Sequence, residues 1–109
     1  MGLRNNDILV IGASKNSGSM LPSVDYSKYI TIKEVISFLV SYDWKLIADD
    51  KYGKSYEHSY KKNLQVITIT NKKKDFNWSV EGVIYNIAHQ INKPVQYIEY
   101  LLTGKVFLR

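Results

Sequence analysis

The sequence predicts an α+β fold: a three-stranded antiparallel sheet covered on one face by two helices, with a short extra C-terminal helix and an N-terminal extension. Three observations predict it. An amphipathic stretch with a capping signal opens at Thr31. Three short runs with strand character follow between Trp44 and Thr70, the last two joined as a hairpin. A second amphipathic stretch runs from Ser79 to Ile91. Helix, three strands, helix is the pattern of a sheet with its helices segregated to one face.

The chain of 109 residues suits one domain, which we place at residues 30–109 behind an extension at 1–29. An apolar content of 45% and a charged content of 23% are ordinary for a globular protein. With no cysteine there is neither a disulfide framework nor a thiolate metal site. No apolar run approaches the roughly 20 residues that span a bilayer, and Ile8-Leu9-Val10-Ile11 is too short for a signal peptide core. The expectation is a cytoplasmic protein without a membrane partner.

Asp7 to Ser14 resembles locally the first strand and glycine turn of a nucleotide-binding fold. Such a turn must lead straight into a helix whose amides meet the phosphate. Here Gly12 to Ser19 leads to Met20-Leu21-Pro22, and the spacing misses both glycine fingerprints. The segment reads as an added edge strand plus linker, or a tail.

Thr31-Ile32-Lys33-Glu34 is a capping box, with Ile30 and Val35 placed for a hydrophobic staple. Ile32, Val35, Ile36, Leu39 and Val40 recur with helical spacing, so the first helix is expected from about Ile32 to Tyr42. Trp44 to Ala48 reads as the first strand, with Trp44 a core anchor at the helix–strand corner. Asp49-Asp50-Lys51-Tyr52-Gly53 is a turn. Its two carboxylates are turn chemistry rather than a metal site, because no third oxygen ligand is placed.

Gly53 to Thr70 is the hairpin, joined at Lys61-Lys62-Asn63. Alternation puts Tyr56, His58 and Tyr60 on one face and Ser55, Glu57 and Ser59 on the other. On the return strand Leu64, Val66 and Thr68 alternate with Gln65, Ile67 and Ile69. Asn71 to Asp75 is an exposed basic loop. Ser79 is the expected N-cap of the second helix, with Val80, Val83, Ile84, Ile87 and Ile91 buried. Gly82 inside that helix is expected to mark the close approach of another backbone. Pro94 breaks the helix, and a third is expected from Val95 to Leu102, with Val95, Ile98, Leu101 and Leu102 inward and Gly104 as its stop.

The net charge of +5 is unevenly placed. Between residues 51 and 74, Lys51, Lys54, Lys61, Lys62, Lys72, Lys73 and Lys74 face Glu57 alone, a local +6 that leaves the remainder at −1. That points to a polyanion, RNA first. The plainer reading is a solvated hairpin whose lysines keep a sheet edge from aggregating. Thirteen of the fifteen basic residues are lysine, which favours phosphate attraction over bidentate base reading.

The order of elements is similar to that of double-stranded RNA-binding domains and of the HicA (YcfA-like) toxins. Thr31 to Ile36 followed by Trp44 to Ile47 resembles the opening helix and first strand of HicA, with Asp43 where glycine is usual. Gly82, Val83, Ile84, Ile87 and Gln90, followed by the last helix, resembles its closing segment. The resemblance covers about residues 31–103. It implies messenger-RNA cleavage by a histidine on the second strand, and neutralisation by a HicB-like antitoxin. The chain departs from that pattern: Glu57 or Tyr56 falls at the usual catalytic position, and only the displaced His58 could replace it. His58 is therefore the one candidate general base, against the reading that it packs between Tyr56 and Tyr60. In double-stranded RNA-binding domains the phosphate-binding lysines open the closing helix. Here Lys72 to Lys74 are expected four residues short of it, in the loop.

The expected function is RNA binding with weak or absent ribonuclease activity and no cofactor. Lys54, Lys61, Lys62, Lys72, Lys73 and Lys74 would hold phosphates, and Tyr56 or Tyr60 would stack bases. The alternatives are a non-enzymatic module that docks on a protein, for which nine tyrosines and an extra N-terminal strand would suit, and an active endoribonuclease using His58.

Overall fold

The computed structural model describes residues 24–108. The strand expected at Ile8–Ile11 lies outside them. In chain order there are a 3-10 turn at Tyr26–Lys28, helix α1 (Ile32–Ser41), strands β1 (Trp44–Asp50), β2 (Gly53–His58) and β3 (Ile67–Thr70), a second 3-10 turn at Lys73–Asp75, and helices α2 (Phe76–Ile91) and α3 (Val95–Thr103). The strands form one antiparallel sheet in the order β1-β2-β3. Helix α1 packs on β1 and α2 on β3, and the predicted class and element order are those observed. Among the described residues no helix is long and apolar enough to cross a membrane.

The capping box forms as expected. Thr31 Oγ1 accepts from the Glu34 amide at 3.2 Å, and Glu34 Oε1 accepts from the Thr31 amide at 2.8 Å. Ile30, Val35 and Leu39 are buried, while Ile32 and Val40 sit exposed at the margins of the stripe. The helix hands over to β1 through Asp43, whose φ of 74° is left-handed. Aspartate is one of the few side chains that adopts this region readily. Trp44 then turns into the core, and its indole N–H donates to Gln90 Oε1 at 2.8 Å.

The hairpin is shorter than its alternation suggests. Gly53 pairs with Thr70 and Tyr56 with Ile67, so residues 59–66 form the connection. The strand stops at His58 because its ring draws the chain back: Nδ1 accepts from the amides of Tyr60 (3.1 Å) and Lys61 (2.9 Å). Gly53 is obligatory by shape. Its φ is +151°, and a Cβ there would lie 2.2 Å from the Ile69 carbonyl oxygen. Trp44, Tyr56, His58, Ile67 and Ile69 give the sheet its buried face. Lys45, Ser55, Glu57 and Thr68 lie on the other face, where the Ser55 and Thr68 hydroxyls meet at 3.0 Å. A bulge at Ile47 shifts the β1–β2 register.

Helix α2 begins at Phe76, a turn earlier than expected. Ser79 is not its N-cap. It is buried within the helix, and its Oγ accepts from the Thr70 amide at 3.1 Å, tying α2 to the end of β3. Val80, Val83, Ile84 and Ile87 are buried as expected. Gly82 corrects another expectation: among the described residues no backbone of another element approaches it, and a Cβ there would meet nothing within 4 Å. The glycine costs the helix about 1 kcal/mol relative to alanine, and no contact among the described residues offsets that. In α3 Ile98 is buried, but Glu99 turns inward where Leu101 was expected and accepts a hydrogen bond from the Tyr26 hydroxyl. Tyr26 belongs to the segment read as extension, yet it is buried in the core. Asn77 holds it there, accepting from the Tyr26 amide at 2.9 Å and donating to the Val24 carbonyl at 2.5 Å.

Candidate functional site

The lysines of residues 51–74 do not form one ribbon. Because β2 and β3 are antiparallel, Lys61 and Lys62 leave one end of the sheet, and Lys72, Lys73 and Lys74 leave the other. At the first end Lys62 Nζ contacts Glu57 Oε2 at 3.0 Å, with Lys45 3.8 Å from the same oxygen. The Lys62 hydrogen bond, helped by both ammonium charges, holds the Glu57 carboxyl below the usual carboxylate range. Lys61 is exposed beside them.

The second end gathers more lysines, and fewer of them stand in ion pairs among the described residues. Asn71 Nδ2 donates to the carbonyls of Asp50 (3.3 Å) and Lys51 (3.0 Å), and its amide donates to the Tyr52 carbonyl at 3.1 Å. These bonds fasten the β1–β2 turn beside the chain that enters α2. Lys51, Lys72, Lys73 and Lys74 are all exposed there. None of the four forms a salt bridge among the described residues. Lys54 is less available, since Asp49 Oδ2 lies 3.3 Å from its ammonium. Asp50 Oδ1 accepts from the Tyr52 amide at 2.8 Å, so both turn carboxylates are occupied.

The 3-10 turn at Lys73–Asp75 runs directly into α2, whose first turn receives no side-chain cap from Asp75. Lys72 to Lys74 therefore stand at the positive end of a sixteen-residue helix. Two surface depressions of about 390 Å³ flank Lys73 and Phe76, one toward Thr70 and Asn71, the other toward Asp25 and Asn77. In the first, the buried Thr70 Oγ1 has no hydrogen-bond partner among the described residues. The cluster can attract and hold anionic oxygens; Lys51 and the helix start were not singled out from the sequence.

The aromatic candidates divide. Tyr56 is 3% exposed and cannot stack on a ligand. Burial raises its phenol above the ordinary tyrosine range, the nearby Lys54 charge opposing. Tyr60 is open, at 78%. His58 is 3% exposed and packs edge-on against Trp44, ring centroids 5.5 Å apart, rather than against Tyr56. Its Nδ1 lone pair is taken by two backbone amides, and Nε2 lies 3.1 Å from Gln90 Nε2. Gln90 Nε2 donates to the Tyr42 carbonyl at 3.0 Å. Neither ring nitrogen is open to a substrate hydroxyl, as a general base requires. His58 and Gln90 instead form a buried polar brace between β2, the α1–β1 corner and α2. No family model, curated protein or solved structure matches this chain.

Proposed function

We propose that this chain binds RNA through its phosphates and does not cleave it. The observation that carries the reading is the run Lys72–Lys74, without salt bridges among the described residues, at the start of α2, joined by Lys51 across the Asn71 contacts. Lysine side chains beside a helix N-terminus suit phosphate oxygens and carry no base code. His58 supports the non-cleaving half of the proposal, because it serves the core.

Titration of labelled RNA by fluorescence anisotropy across a salt series tests the reading. Each phosphate contact contributes about 0.7–0.9 to the slope of log K against log salt. Replacing Lys72, Lys73 and Lys74 by alanine is expected to lower that slope by about 2–3, whereas Lys62→Ala changes it little because Glu57 already engages that ammonium. The RNA should be recovered intact. Salt-insensitive binding, or capture of one stoichiometric protein with no affinity for RNA, would overturn the proposal.

A further inference from the structure

The outward side of α2 carries a feature that the fold does not explain. Trp78, Gly82, Tyr85 and His89 recur at helical spacing on the side opposite the buried Val80, Val83, Ile84 and Ile87. Trp78 is 61% exposed and Tyr85 54%. Between them Gly82 leaves the helix bare, with no atom of the described residues in contact with the place where a Cβ would stand. Two large rings in water and a helix-weakening residue between them are three separate departures from what stability favours. The rings stand two turns apart, roughly 10 Å along the axis. A strand advancing about 3.4 Å per nucleotide fits two stacked bases into that interval.

We propose that this face is a stacking track for unpaired bases of an RNA strand whose phosphates lie on Lys72–Lys74. The proposal rests on the RNA-binding reading and adds the class of RNA, single-stranded rather than duplex. Continuity of charge supports it: Lys74 lies one helical turn before Trp78, so a strand held by its ammonium group would bring its bases over the indole. Ring faces accept any base, and positive charge tracks the backbone. A protein partner would need an acidic surface bearing aromatic or apolar groups at the same spacing. A single strand supplies both properties in every nucleotide.

The test compares a single-stranded oligonucleotide with a blunt duplex, using the intact chain, Trp78→Ala, Gly82→Ala and the Lys72/Lys73/Lys74→Ala protein. Trp44 is sealed in the core and Trp78 is the other of the two tryptophans, so quenching of the exposed component on adding single strand reports the track directly. Trp78→Ala is expected to weaken single-strand binding by about 5- to 100-fold and to leave duplex binding within about twofold. Gly82→Ala is the sharper variant. It should raise the melting temperature by about 4–8 °C while weakening single-strand binding several-fold, a combination that a purely structural role for Gly82 does not produce. If both variants bind single strand like the parent while the lysine variant is impaired, the track is wrong and the phosphate reading stands. If Trp78→Ala dissolves a dimer of the chain and leaves single-strand binding unchanged, the track is wrong; if the parent binds neither RNA, both readings fall.

Discussion

His58 shows how a side chain suited to catalysis can be committed elsewhere. Its Nδ1 anchors the turn at Tyr60 and Lys61, its ring packs against Trp44, and Nε2 meets Gln90. His58→Ala strips two backbone amides of their acceptor and opens a gap beside Trp44. We expect a loss of about 2–4 kcal/mol in urea denaturation and faster proteolysis within residues 59–66, with no change in the fate of RNA. Tyr56 makes a second test at this scale. Because its folded pKa is raised, its contribution is complete below the ordinary tyrosine pKa of about 10 and is lost as pH rises through the folded value. Tyrosinate absorbance should therefore show a late rise that coincides with alkaline unfolding and is smaller in Tyr56→Phe. The sequence placed Tyr56 and His58 on a common face, and that alternation held. It could not say that the face was the covered one, because Tyr60 continues the same pattern into solvent.

Among the elements, α1 was legible nearly to the residue, since a capping box and a staple are local chemistry. Helix α2 was not, and the error has a cause. Ser79 followed by an apolar run reads as an N-cap, but its hydroxyl serves the Thr70 amide instead of its own helix. Phe76 does continue the apolar stripe, four residues before Val80, and packs against the core, but the N-cap reading of Ser79 cuts the stripe off before it. The extra turn exists because Asn77 is needed to hold the chain at Val24 and Tyr26. Ser79→Ala leaves the Thr70 amide without its acceptor, and we expect a loss of about 1–3 kcal/mol in the same denaturation assay. A true N-cap would behave differently from an interior bond: Ser79→Asp should rescue a cap, whereas here it buries a carboxylate and is worse than alanine.

For the molecule as a whole, the lysines were counted correctly from the sequence and grouped wrongly. Neighbours in the chain were read as one ribbon, while the antiparallel pairing of β2 with β3 sends Lys61–Lys62 and Lys72–Lys74 to opposite ends. Lys51 joins the second group through the Gly53–Thr70 pairing and the Asn71 bonds, links between distant residues that no local pattern records. The bulge at Ile47 has a bearing on solubility. Past Trp44 every residue of β1 is exposed, and the strand lies at a border of the sheet with one row of peptide groups unclaimed by any other described strand. Such a border invites stacking of copies, and an extra residue that throws the ladder out of step, ringed by Lys45, Asp49 and Asp50, discourages it. Deleting Ile47 would straighten the border into a template, and the shortened chain should form thioflavin-positive fibres under conditions where the parent stays dispersed.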